Sequence, residues 1–350
     1  ASKITDGDGR QVTGKGYDGP VYEPSRGLGR VLAVNDVVEG AAVLGVFIDG
    51  PLLTDSDVAY QGYVTGYKLP FNPGLVFHSS PSESGYVVRA TLSISGTVGE
   101  LKTDLPTGPL YRWDMANSVD VELYSGSLQS LNDDLVLAGG NPLLVQSAGG
   151  DWELLQYANA ELIGDKTYRL SRLLRGQRGS EVAMGAASGA RVVVPTGGMA
   201  QSGLSRDQIG LPLNWQVGPS NGAVGDADFA AYEITMSGRG ERPLSPVHLK
   251  VSDGGSGDLV LSWIRRTRIG GDSWETSDVP LSEESEAYEI EIWKDGELKR
   301  ELSATAESVT YTAADQTADL GGTGVSFTFF VFQISATYGR GSAAQEDYQP

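Results

Sequence analysis

Tyr288-Glu289-Ile290-Glu291-Ile292-Trp293 alternates between apolar and charged side chains at nearly every step, and Lys294-Asp295-Gly296-Glu297 follows it at once. An extended strand places residues i, i+2 and i+4 on one face, so the alternation predicts a strand with one side buried. Asp-Gly tolerates the positive φ values of a tight hairpin, which predicts a turn into the next strand. Working back from this hairpin, Val260-Leu261-Ser262-Trp263 puts a tryptophan on another strand, and Ser245-Pro246-Val247 begins an earlier one. Working forward, Phe327 to Ala336 is apolar on both faces, the pattern of a central strand.

The order of these strands resembles a fibronectin type III sandwich. Two departures are visible. Phe329 stands where that family usually has tyrosine, and the long segment Arg265 to Ala287 is expected to project as an inserted loop. Upstream, short runs rich in Val, Ile, Leu and Tyr recur at residues 30–34, 43–48, 87–94, 119–123, 168–170 and 191–194, bounded by Gly, Asp, Asn or Pro. Residues 128–137 read as a short helix. Glycine supplies 47 of 350 residues without a triplet period, which fits many turns between short strands. The expected fold class is therefore all-β, with several β-rich modules. Three are expected: residues 1–110, 111–240 and 241–350. Arg239-Gly-Glu-Arg-Pro-Leu-Ser-Pro246 marks the last boundary, because its prolines and glycine favour extended backbone. Residues 1–24 read as a turn or an extended lead-in. The chain starts with alanine, and we expect a piece of a longer polypeptide.

Lys plus Arg number 26 against 45 Asp plus Glu, a net charge of −19, with the largest acidic excess in the last module. A field of that sign repels phosphate and argues against general binding of nucleic acid or anionic membrane. There is no cysteine, hence no disulfide framework, thiol nucleophile or thiolate metal site. Two histidines exclude a zinc site built on several imidazoles. His78 lies in Phe77-His-Ser-Ser-Pro-Ser-Glu83, read as a polar loop with no catalytic role. His248 is expected in the first strand of the last module, in a packing or surface role. Asp6-Gly-Asp8-Gly-Arg10 has Arg10 and Tyr17 where a calcium loop needs its later oxygen ligands, so it reads as an ordinary turn. The longest apolar run, residues 41–48, is too short to span a bilayer. No catalytic residue, cofactor or metal is expected.

The strongest charge pattern is basic. Lys166, Arg169, Arg172, Arg175 and Arg178 recur at every third position, with no acid between Asp165 and Glu181. One reading is a stripe that tracks the phosphates of DNA in a channel. The other is a strand and turn. Thr167, Arg169 and Ser171 would share a face opposite Tyr168 and Leu170, and Gly176 and Gly179 would turn the chain. The arginines would then pair with carboxylates, within the subunit or across an interface. The lack of interleaved aromatic rings favours this second reading. Further interface candidates are Arg265, Arg266 and Arg268 with Glu283 and Glu284, the glutamates being expected on the exposed inserted loop beside Glu286.

Tyr168-Arg-Leu-Ser-Arg-Leu-Leu-Arg-Gly-Gln-Arg-Gly-Ser-Glu181 resembles the signature of the large tail-tip, or host-specificity, protein of siphophage-like tails and gene transfer agents, sometimes called the megatron protein. Other pieces match in order: Asp49-Gly-Pro-Leu-Leu53, Val136-Leu-Ala-Gly-Gly-Asn-Pro142, Trp152-Glu-Leu-Leu-Gln-Tyr157, Gly210-Leu-Pro-Leu213, Arg242-Pro-Leu-Ser-Pro-Val-His248, Trp263-Ile-Arg-Arg-Thr-Arg268, Pro280-Leu-Ser-Glu-Glu284 and Val331-Phe-Gln-Ile-Ser335. The family carries a glycosidase-like domain upstream, and nothing in this sequence resembles it, so no hydrolase activity is carried over. The resemblance implies a structural subunit of the distal tail tip, or baseplate, made in the bacterial cytoplasm and residing in the virion. It implies a homotrimer that contacts other hub proteins, helps to close the tube, meets the host surface and touches DNA in transit. The alternative is a carbohydrate-binding module for a host envelope glycan, for which Tyr60, Tyr63, Tyr67 and Phe71 are the candidate ring platform.

Overall fold

The computed structural model describes residues 2–5, 11–14, 43–69, 71, 73–271 and 279–350. The expected strand at 30–34 and the turn at Asp6–Arg10 lie outside them. The chain divides into two compact units, residues 1–40 and 41–350. In the first, β1 (Ser2–Thr5) pairs antiparallel with β2 (Gln11–Gly14).

Strands are the dominant regular structure of the second unit, in three modules. Its chain first lays down β3 (Leu44–Ile48), β4 (Tyr63–Tyr67), β5 (Leu75–Ser80) and β6 (Val87–Leu92). It then leaves to build a closed barrel from β7 (Thr97–Leu101), β8 (Asp114–Leu123), β9 (Pro142–Gln146), β10 (Trp152–Gly164), β11 (Thr167–Leu174) and β12 (Arg191–Val194), in the order β10-β11-β8-β7-β12-β9. It returns with β13 (Met199–Gln201), β14 (Pro212–Pro219) and β15 (Ala230–Thr235), which complete two sheets ordered β13-β4-β3 and β15-β14-β5-β6. The barrel is thus inserted into a module whose halves are far apart in sequence. The boundary expected near residue 110 falls between β7 and β8, which are neighbours in the barrel, so the chain does not divide there. The reason is long-range pairing: Trp215 of β14 lies opposite Ser79 of β5, a contact that no local change of composition marks.

Each module has its own apolar centre. Val119, Val121, Leu143, Leu155, Leu170 and Leu173 fill the barrel. Leu75, Phe77, Leu213, Trp215 and Val217 fill the two-sheet module, with Phe47 edge-on to Trp215 at 5.0 Å between ring centres. Ile48, Tyr63, Trp152, Leu154 and Val193 join those two modules. His78 sits on β5 rather than in a loop, because Phe77 turns inward and His78 takes the alternate face.

The expected helix at 128–137 shrinks to a short helix, α1 (Asp133–Leu137). Leu131 N–H donates to Ala158 on β10, and Asn132 Oδ1 caps the helix by accepting from Leu135 N–H, so the preceding residues are held extended.

The third module is a sandwich. β16 (Val247–Gly255), β17 (Asp258–Ile264) and β20 (Ser308–Tyr311) form one sheet. The other is ordered β19-β18-β21-β22, from β18 (Tyr288–Lys294), β19 (Glu297–Ala304), β21 (Phe327–Ser335) and β22 (Gly339–Tyr348). Three strands facing four in this sequence order is the arrangement of a fibronectin type III sandwich. Trp263, edge-on to Tyr288 at 5.0 Å, packs with Ile290, Ile292, Tyr311, Phe329 and Val331 in its centre. A helix, α2 (Ala313–Leu320), capped by Thr312, connects β20 to β21. His248 is exposed at φ 54. Among the described residues no helix is long and apolar enough to cross a membrane.

Candidate functional site

The basic motif starts on β11, which lies between β10 and β8. Arg169 stands opposite Asp120 of β8 and donates to it through two bonds, Nε to Oδ1 at 2.8 Å and Nη2 to Oδ2 at 2.9 Å. That pairing holds the Asp120 carboxyl below its ordinary range. Lys166, at the β10–β11 turn with φ 48, reaches the Tyr124 carbonyl. At Arg172 the register with β8 slips and φ is 55, so the strand bulges there. Its guanidinium lies 5.1 Å from the centre of the Trp113 ring and donates to Asp133 at 2.5 Å.

Arg175 points into the protein. Its side chain is fully buried, as are its partners Glu153 (1% exposed) and Asp114 (1% exposed). Nε and Nη2 grip the two Glu153 oxygens at 2.7 and 2.9 Å, and Nη1 donates to the Pro106 carbonyl. Burial alone would raise the Asp114 pKa, but the Asn117 side chain, the backbone N–H groups of Asn117 and Ala116, and Arg175 together hold it below the usual value. After β11 the chain reverses through Gly176 at φ 58, whose N–H also donates to Glu153, and Gly179 at φ 81. A Cβ on Gly179 would stand 2.0 Å from Leu244 Cδ2, so glycine lets the motif lie flat against the linker to the sandwich. Arg178, on that reversal, donates to Asp55.

The regular spacing therefore makes no stripe. Strand, bulge and reversal aim the cations in different directions, and the four arginines end on carboxylates of the same chain.

The second candidate cluster lies where the sandwich meets the other modules. Arg266 Nη1 donates to Glu181 Oε1 at 2.5 Å, and Ser245 Oγ donates to the same oxygen at 2.8 Å. Arg268 holds Glu283 through Nε and Nη2 at 3.0 and 3.2 Å and donates from Nη1 to the Gly240 carbonyl. Arg265 takes Glu307 and Glu286 at 3.6 and 3.9 Å. Gly270 N–H shares Asp55 with Arg178, and these two donors, the Gly270 amide first, hold the Asp55 carboxyl low. The segment 265–287 does not project at its described ends: 265–271 and 279–287 fold back on the chain. Glu283 is accordingly buried rather than solvated, since Arg268 covers it. Glu284 is exposed and accepts from Ser335 Oγ, Ala336 N–H and the Thr337 hydroxyl, fixing the β21–β22 turn.

A cleft of about 1010 Å³ opens at this junction, with Arg178, Arg239, Arg266 and Arg268 in its walls, all paired. Arg242 also lines it and makes no side-chain bond to a described residue. Among the described residues no group of three or more His, Asp or Glu side chains could hold a metal ion. The His78 ring lies 6.0 Å from that of Phe229, tilted against it, and its burial lowers its pKa. The aromatic platform does not form: Tyr63 is buried, and Tyr60, Tyr67 and Phe71 are half-buried, Tyr60 beneath the Arg206 guanidinium and Tyr67 beside Tyr124. Sequence reasoning missed Asp55, Asp114, Asp120, Asp133, Glu153 and Glu181, the partners that give the arginines their meaning. The one signal was Glu153, an acid inside the apolar run Trp152–Tyr157.

Residues 96–193 match the family model described as Rcc01698-like, C-terminal. The match spans the barrel to within one residue of the end of β12, including the basic motif. A search of the curated proteins finds no match. Among solved structures, the crystal structure of domains A168–A170 from titin is 13% identical and covers 88% of this chain and 99% of its own, at a TM-score of 0.23. The FN1–FN3 domains of chicken CNTN1 are 10% identical and cover 87% of this chain and 97% of their own, also at 0.23.

Proposed function

We propose that this chain is a non-enzymatic structural subunit of the distal tail tip, or baseplate, of a phage-like particle of the gene transfer agent kind. The observation that carries the reading is a coincidence of place. The motif that resembles the tail-tip signature lies in the barrel, the family model matches that same barrel, and the motif's arginines brace the barrel from within, with Arg178 tying it to Asp55 of the neighbouring module. Side chains spent in this way suit a frame. In the particle the chain assembles as a homotrimer with other hub proteins, helps to close the tube, contributes to host attachment, and lines the route of DNA delivery. The experiment is a count of this protein in purified particles, with and without its gene. The reading expects the chain in wild-type particles and tails with a defective tip in the deletion. Intact, infective particles that never contain the chain would end it.

A further inference from the structure

The β15-β14-β5-β6 sheet has a second face, turned away from the core. Residues opposite one another in an antiparallel pair share a face, so Glu233, Asn214 and Ser80 form one cross-strand row, and Ala231, Gln216 and His78 form the next. Leu213, Trp215 and Val217 point the other way, into the core. Residues 83–86 of the β5–β6 loop and 224–225 of the β14–β15 loop bound this outer face, giving a cleft of about 810 Å³. Hydrogen bonds within each loop brace both walls. Ser80 and Ser82 hydroxyls donate to the Ser84 carbonyl, and Asp226 accepts from Ala223 N–H while Phe229 N–H donates to the Asp226 carbonyl.

Glu83, Tyr86, Asn214, Gln216 and Glu233 all line the cleft, and none of their side chains is bonded to a described residue. We infer that this cleft binds a neutral oligosaccharide. Amides and carboxylates offer the mixed donors and acceptors that ring hydroxyls need, and a tyrosine ring offers an apolar plate for a sugar face. Among the described residues no lysine or arginine lines it and two carboxylates do, so like charge turns away phosphate and acidic polymers. The absence of a three-ligand acidic group among the described residues disfavours a metal ion. The inference goes beyond the tail-tip reading and stands without it: a chain absent from particles could still bind the sugar, and a tip protein could lack the site.

The test applies the full chain to an array of neutral oligosaccharides containing glucose, galactose, mannose and N-acetylhexosamine, with heparin and calcium as controls. The best array ligand is then titrated into wild type, Tyr86→Ala, Gln216→Ala and Glu233→Gln, each checked by a melting curve. We expect a neutral oligosaccharide to bind, and each variant to lose about tenfold or more in affinity while melting like wild type. The three positions are exposed or half-buried, so a variant that melts early is replaced in the comparison by the other two. No neutral ligand on the array, equal affinity in the variants, or binding of heparin or calcium alone would overturn the inference.

Discussion

Arg175 and Arg169 belong to one motif and differ in burial, so they separate two energetic regimes. Removing Arg175 leaves Glu153 and Asp114 charged in the interior, and breaking such a pair costs about 3–5 kcal/mol. Arg169 is half-exposed over Asp120, where solvent screens the pair and little stability rests on it. Denaturant midpoints of Arg175→Ala and Arg169→Ala should therefore differ widely, and equal midpoints would show that burial does not govern the motif. Glu284 makes a different prediction. The Thr337 hydroxyl first, then backbone N–H groups and Ser335, pull its pKa to about 2. A depressed carboxylate stabilises the fold fully above its ordinary value near 4.5, and that contribution fades as pH falls towards 2. A carboxyl NMR titration should find the low midpoint in wild type and a rise towards the ordinary value in Thr337→Val.

At the scale of elements, the sandwich is the most self-sufficient part. Its buried cluster, from Leu261 to Val331, draws only on its own strands, so residues 243–350 should fold alone. Trp263→Ala should destabilise that fragment by about 3–5 kcal/mol, because the ring is 3% exposed. A disordered circular dichroism spectrum for the wild-type fragment would contradict this. The same elements show what sequence reveals. β12, β17, β18 and β21 are legible because each stretch alternates or is continuously apolar within a few residues. β10 is not, since Leu155 fills the barrel while Leu154 packs against the neighbouring module, and burial on both faces erases the period of two. β19 is legible only through the Asp295-Gly296 turn that precedes it, because Glu297–Ala304 is an edge strand with a largely exposed, charged surface. The arginines were legible as a motif, but Asp55, which Arg178 meets across 123 positions of sequence, could not be found by spacing.

Over the whole molecule, a net charge of −19 coexists with arginines committed to internal ties. Glu181 with Arg266, Asp55 with Arg178 and the Gly270 amide, and Gly240 with Arg268 hold barrel, split module and sandwich together. The central claim is that the basic motif is a set of clamps and not a phosphate track. Titration of the isolated chain with duplex DNA at low salt tests it most directly. A phosphate track would bind measurably and weaken steeply as salt rises, because each contact releases counterions. The account predicts no salt-sensitive binding in wild type, Arg169→Ala or Arg172→Ala. Tight, salt-sensitive binding in wild type that either substitution removes would contradict it.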